Sequence, residues 1–192
     1  MSRVLVRIVL LAVIAVLATV TVLFVRGPAS WQRRYYPLSY TDEIMQSSAR
    51  HTVSPQLVAA VINAESKWRA GTRSSAGAVG LMQVLPSTAE DLAKRGSVDS
   101  EAYPLGRLSD PAVNIEYGTA YLRYLVDRYH EIEIVLAAYN AGLRHADDWA
   151  AKGGDIRSAI EFPETKHYVL RVMRGKDRYE VLYPDAFKEG SQ

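Results

Sequence analysis

A chain of 192 residues with 48% hydrophobic side chains is long enough for one domain of ordinary size and an appendage. It has no cysteine, which excludes both a disulfide and a lipid-modified N-terminal cysteine. The formal charge is +2, yet without Arg3, Arg7 and Arg26 the stretch from Gly27 onward carries twenty Lys/Arg against twenty-one Asp/Glu, so the basic excess of a nucleic-acid-binding domain is missing.

The first element in chain order is Ile8 to Val25, eighteen residues without a charge, flanked by Arg3 and Arg7 on one side and Arg26 on the other. Such a run is long enough to span a bilayer, and the expectation is an uncleaved anchor over residues 1–26 with a short cytoplasmic N-terminus. A cleaved signal peptide is the competing reading, although its apolar part is usually shorter and ends in an A-x-A-like site, which Gly27-Pro28-Ala29 matches poorly. Arginines stand on both flanks, so the positive-inside count leaves the orientation open. Residues 27–40 read as a juxtamembrane tether, with Arg33-Arg34-Tyr35-Tyr36 suited to lipid headgroups.

From residue 41 the signals are helical. Thr41 with Asp42 and Glu43 starts a helix through His51, and Ser54-Pro55 starts another that ends at Glu65. Ser87-x-x-Glu90 has the form of a capping box. Asp110-Pro111 opens the longest helix, whose apolar face runs through Ile115, Gly118, Leu122, Leu125 and Tyr129. Ile132 to Ala141 is terminated by Gly142, Arg144 to Lys152 is bounded by Gly153-Gly154, and Pro163 to Arg174 is expected to stop at Gly175. Arg171, Arg174, Lys176 and Arg178 then read as a solvated helix end. No strand pair, repeat or low-complexity tract is evident. The predicted fold is mainly α, a compact orthogonal helical domain over residues 41–192.

One residue departs from its pattern. Val58, Val61, Ile62 and Glu65 fall at i, i+3, i+4 and i+7 spacing, so the Glu65 carboxyl lies on the apolar stripe near the helix end. Burial there disfavours ionisation, which suits a group that must donate a proton near neutral pH. A frayed last turn with Glu65 in water is the alternative. Three further blocks follow it: Ser75-Ala-Gly77-Ala-Val-Gly80-Leu81-Met82-Gln83, then Ala138-Tyr139-Asn140-Ala141-Gly142, and Phe162-Pro163-Glu164-Thr165 with Tyr168. In this order the four blocks resemble the soluble lytic transglycosylase (SLT-type) catalytic domain, a lysozyme-like fold that cleaves the glycan strands of peptidoglycan. The resemblance spans about residues 40 to 178.

It implies a reaction with one carboxyl group. Glu65 would protonate the glycosidic oxygen between N-acetylmuramic acid and N-acetylglucosamine. It would then act as base toward the 6-hydroxyl of the same muramic residue, giving a 1,6-anhydro end without water. Nothing like a second acid lies near Glu65 in sequence, since Glu90, Asp91 and Asp110 are explained as helix-start residues. The resemblance also implies substrate-binding roles for Ser66, Ser75, Met82, Gln83, Tyr139, Asn140, Glu164 and Tyr168, with Tyr139 orienting the acid. Each has a plainer reading: a core methionine, a loop glutamine, a packed tyrosine, or a glutamate at a helix start. The Gly71 to Gly80 segment reads as a flexible loop of small residues, not a phosphate loop, because no Gly-Lys-Ser/Thr ends it.

Trp68-Arg69 stands where many relatives have phenylalanine and then asparagine, which puts cleft shape in question rather than chemistry. His51, His130, His145 and His167 show no ligand spacing, so no metal and no cofactor are expected. The expected partners are peptidoglycan strands and, through the N-terminal helix, the cytoplasmic membrane, with the domain facing the wall; no nucleic acid is expected and protein partners stay open. Two alternatives remain at this point: a goose-type lysozyme-like muramidase that delivers water, and a non-catalytic peptidoglycan-binding module.

Overall fold

The computed structural model describes residues 3–188, with the side chains of residues 23–26 left aside. The chain divides into two compact units, residues 1–36 and 37–192.

The first unit holds helix α1 (Arg3–Arg26) and a shorter helix α2 (Ala29–Tyr35). The described side chains of α1 are all exposed, and from Arg3 to Val22 the helix is long and apolar enough to cross a membrane. The expected tether is therefore partly helical. Pro28 caps α2, and the Gln32 amide donates to the Gly27 carbonyl at 2.9 Å, tying off the short turn.

The second unit is built around α4 (Pro55–Glu65), in which Leu57 to Ile62 are all buried. Its start follows from the sequence: Pro55 fits the first turn, and Ser54 Oγ accepts from the Leu57 N–H at 3.4 Å. On one side α4 meets α3 (Thr41–His51), and on the other it packs most extensively against α10 (Pro163–Leu182). The long α6 (Pro111–Tyr129) is buried from Val113 through Ala120 between α3 and α7 (Ile132–Ala141). Flanking these are α5 (Pro86–Lys94), α8 (Leu143–Lys152) and the short α9 (Ile156–Ala159). Among the described residues, β structure is limited to the isolated bridges Arg73–Val79 and Val79–Val84.

Three sequence expectations are corrected. The last helix does not stop at Gly175: α10 continues to Leu182, because Gly175 is buried where a Cβ would come within 3.2 Å of Ala60 Cβ. The glycine is there for close approach between helices, and the basic run from Arg171 is mid-helix rather than a helix end. The Ser87/Glu90 capping box does not form, since Pro86 presets the first turn and α5 starts two residues earlier with Leu85 as its cap. The Gly71–Gly80 loop is held in place, with Gly80 N donating to Thr72 O at 2.9 Å and Val79 and Val84 exchanging two backbone bonds of 3.0 Å.

α3 and α6 are also joined by charge. Glu116, 2% exposed, takes a bidentate hydrogen bond from Arg50 and one from His51 Nε2 at 2.8 Å. Burial alone would raise its pKa, but the bonds from His51 and Arg50 outweigh it and hold the carboxyl at about 2. Sequence reading assigned Glu116 no role.

Candidate active site

Glu65 is the last residue of α4, so its carboxyl leaves the helix at the point where the chain must turn. Lys67 and Trp68 make that turn in the left-handed region, at φ +52° and +65°, a conformation that non-glycine residues hold only when their surroundings fix it. Ser66 is buried, and its Oγ donates back to the Ile62 carbonyl at 3.1 Å, closing the helix end. The Trp68 indole N–H donates to Tyr179 Oη at 3.0 Å, and Tyr179 Oη donates to the Pro37 carbonyl at 2.9 Å. A phenylalanine at position 68 would lack the donor, so the departure noted in the sequence ties the turn after Glu65 to α10.

Burial raises the Glu65 pKa to about 7, against the opposing pull of the Tyr168 hydroxyl and the Arg171 charge. Both lie on α10, where the Arg171 guanidinium covers the Tyr168 ring at 5.6 Å. Tyr168 is 1% exposed, and its hydroxyl is near enough to act on Glu65 yet completes no hydrogen bond of normal geometry. Burial, and then the Glu65 charge, raise the pKa of that hydroxyl well above its ordinary value. It therefore stays a proton donor facing the carboxyl. No second carboxylate is among the groups that shift Glu65.

From α7, Tyr139 reaches the same place. Its hydroxyl donates to the Met82 carbonyl at 2.8 Å and is raised by burial and by the Glu65 charge. The Tyr139 ring also lines an open cavity of ≈ 230 Å³ with Gln83, Thr88, Tyr121, Asn140 and Gly142. Tyr139 thus joins the acid to a space in which a sugar could lie.

The loop that carries Gln83 is set by a buried amide. Asn114, 0% exposed on α6, accepts from the Met82 N–H at 2.7 Å and donates to Val79 O at 2.8 Å and Leu108 O at 2.9 Å. Met82 is itself 0% exposed and seated against Gly118, where any Cβ would overlap its sulfur. Its side chain is core, and its carbonyl is what meets Tyr139. Gln83 sits at φ +49°, pinned by its own amide, which donates to Gly80 O at 2.9 Å and Thr72 O at 3.1 Å.

The remaining sequence candidates divide. Asn140 lines the cavity, and its Oδ1 accepts from the buried Thr165 hydroxyl at 2.9 Å, fixing the end of α7 to the start of α10. Glu164 is exposed in the first turn of α10, and Ser75 is exposed in the Ser74–Gly77 turn; neither is among the groups that perturb Glu65. Asn114, Tyr121 and Tyr179 were not singled out by sequence, and Arg171 was read only as part of a solvated helix end. For Asn114 the signal was present: with Gly118, Tyr121 and Leu125 it stands at helical spacing, a polar residue on an apolar stripe, as Glu65 is.

Comparison with known proteins bears on the same region. The family described as the Transglycosylase SLT domain matches residues 42–160. The soluble lytic murein transglycosylase of Escherichia coli (strain K12) is 33% identical over 157 residues, which is 78% of this chain and 24% of that protein. Membrane-bound lytic murein transglycosylase C of Actinobacillus succinogenes is 27% identical over 162 residues, 78% of this chain and 40% of the relative. The chain thus spans about a quarter of the E. coli relative's length. Among solved structures, the lytic transglycosylase Slt of Pseudomonas aeruginosa, in an inactive mutant form, superposes with a TM-score of 0.69 at 25% identity. The superposition covers 76% of this chain and 24% of that one. The helical, lysozyme-like architecture is the one found there. The family match ends at residue 160, so Tyr168 and Arg171 lie beyond it.

Proposed function

We propose that this chain, which belongs to the Transglycosylase SLT domain family, cleaves the β-1,4 bond between N-acetylmuramic acid and N-acetylglucosamine in peptidoglycan without water. The observation that carries this reading is Glu65: a carboxyl held near pKa 7 at the end of a buried helix, with two tyrosine hydroxyls beside it and, among the described residues, no carboxylate that shifts it. Protonated Glu65 gives its proton to the glycosidic oxygen, and the substrate's own acetamide stabilises the positive centre in place of a carboxylate. The ionised Glu65 then removes the proton of the muramic 6-hydroxyl, which attacks the anomeric carbon of the same residue. A tethered hydroxyl gains effective molarity over solvent, so ring closure outcompetes hydrolysis. The Tyr168 hydroxyl faces the carboxyl, and Tyr139, tied to the Met82 carbonyl, stands beside it. Gln83 and Asn140 are proposed as sugar contacts, and Ser75 and Glu164 as outer contacts; Ser66 and Met82 shape the backbone that carries them.

Digestion of purified wall should release muropeptides ending in 1,6-anhydro-N-acetylmuramic acid, each one water lighter than a lysozyme product. Mass spectrometry showing mainly reducing-end muramic acid would replace this reading by the muramidase. Absence of any cleavage by the intact Glu65 chain would leave the binding module.

The pH dependence follows from the direction of the Glu65 shift. The first step needs the protonated form, so kcat/KM should be level below pH 7 and fall about tenfold per pH unit above it. Activity that stays level to pH 9 would mean that another group supplies the proton.

We further propose that α1 is retained as a membrane anchor with the domain on the wall side, because the substrate lies there and α1 has the length and apolar surface of a span. The chain should remain with membranes after a high-salt wash, which strips electrostatic attachment, and the domain should be open to protease added from outside. Recovery of a soluble mature protein beginning near Ser30 would make the segment a cleaved signal.

A further inference from the structure

Glu65 ends α4, where no further helical turn fixes its orientation, so the place of its carboxyl depends on the turn that follows. Within that turn Arg69 donates to the Ser66 carbonyl through its backbone N–H at 3.3 Å and its Nε at 3.1 Å. Both bonds are local, and they close the turn without fixing its direction. Lys67 is exposed, so the contact that can hold two successive left-handed residues in place is that of the half-buried Trp68. Its ring meets Tyr179 edge-on at 6.1 Å, alongside the 3.0 Å bond from the indole N–H.

Tyr179 is 0% exposed, and its hydroxyl works in both senses, accepting from Trp68 and donating to the Pro37 carbonyl at 2.9 Å. A phenylalanine would fill the same space and lose both bonds. Tyr179 lies on α10 with Tyr168 and Arg171, so this helix meets the end of α4 at two places. Tyr168 and Arg171 act on the carboxyl, and Tyr179 holds the turn behind it. Pro37 is the first residue of the second unit, and the family match covers residues 42–160, so Pro37 and Tyr179 both lie outside the matched span.

We infer that Trp68 and Tyr179 are positioning residues for Glu65: by linking the turn after the acid to α10 and to the Pro37 carbonyl, they fix the carboxyl beside the cavity at Tyr139. The inference rests on the glycan-cleaving reading for the reaction, in which one carboxyl gives and takes a proton from the same place. A displacement of about 1 Å costs on the order of 10²-fold in rate. Residues 37–40, expected as tether, thereby belong to the catalytic unit. A relaxed turn admits water to the carboxyl and weakens the burial that keeps it protonated. The titratable and charged groups that face it are then Tyr168 and Arg171 from α10, which both favour ionisation, and Tyr139 from α7; no group on α3 is among those that shift it.

The test compares full-length wild type, Tyr179→Phe and Trp68→Phe in detergent on purified wall. Tyr117→Phe is the control, another buried tyrosine whose hydroxyl donates to a backbone carbonyl, that of Tyr103, at 3.1 Å. At about pH 5, where Glu65 is protonated in every chain, Tyr179→Phe and Trp68→Phe should each lower kcat/KM about tenfold. The alkaline limb, expected near pH 7, should also move down by about one pH unit. Tyr117→Phe should leave the limb in place, and adding Trp68→Phe to Tyr179→Phe should not move it further, because the bond is already lost. A limb unmoved in Tyr179→Phe, moved equally by Tyr117→Phe, or moved further in the double variant would overturn the inference. NMR titration of the Glu65 carboxyl carbon, identified by its absence in Glu65→Gln, reads the same effect without turnover. Its midpoint should lie about one pH unit lower in Tyr179→Phe than in wild type, and equal midpoints would overturn the positioning role. Failure of the wild type to cleave wall would sink the proposed activity, while the titration still decides whether the turn holds the carboxyl.

Discussion

Glu65→Gln is expected to abolish turnover and, above pH 7, to make the folded domain more stable. The amide keeps the shape of the carboxyl and its contacts with Tyr168, but it has no proton to give, and loss of a positioned acid costs on the order of 10²- to 10⁴-fold in rate. The stability effect follows from the raised pKa. In the folded chain Glu65 holds its proton up to about pH 7, whereas the unfolded chain releases it near the ordinary value of 4.5. Between those values the folded state binds more protons, so wild-type stability falls as pH rises and levels off above pH 7. The accumulated loss is on the order of 3 kcal/mol, and Glu65→Gln does not incur it. Thermal melts of both proteins should agree near pH 4 and diverge by pH 8, the variant melting higher. Near-normal cleavage by the variant would remove Glu65 from the reaction, and parallel melting curves across pH would mean that the carboxyl is hydrated rather than buried.

Asn114→Ala is expected to cost about 3–5 kcal/mol, the largest effect foreseen for a residue that touches no substrate. Truncation removes the partner of the Met82 N–H and of the Leu108 carbonyl, and a buried group left without a partner costs about 1–3 kcal/mol. Val79 O is less affected, because Val84 N still donates to it at 3.0 Å. In a unit of this size the loss corresponds to a melting point lower by about 10 °C. Activity should fall as well, even where the protein is folded, because the Met82 carbonyl that anchors Tyr139 and the Gln83 turn both hang on this amide. A variant that melts like wild type, or that melts lower but keeps full kcat/KM, would show that the loop holds its shape without Asn114.

Helix content and the acid were legible in the chain itself, because both are local. The Ser54-Pro55 and Asp110-Pro111 starts and the Gly142 and Gly153 stops satisfy backbone groups within a few residues, so neighbouring sequence suffices to place them. Glu65 stood out for a similar reason, since a carboxyl on an apolar stripe contradicts its own helix. The errors arose where a local sign had a distant cause. Gly175 looked like a terminator and is a contact with Ala60, 115 positions earlier in the numbering of the same chain. Met82 looked like a sugar contact and is core, because Gly118 of α6 leaves room for it.

The sequence by itself determined that this is a helical domain behind an apolar segment, and that one glutamate occupies a place where ionisation is unfavourable. Only the tertiary structure decided what surrounds that glutamate. The opposing hydroxyl and cation of Tyr168 and Arg171 on α10 and the Tyr139 side chain on α7 come from segments about 75 to 105 residues away, and a pKa depends on what lies within a few ångströms, whatever the separation along the chain.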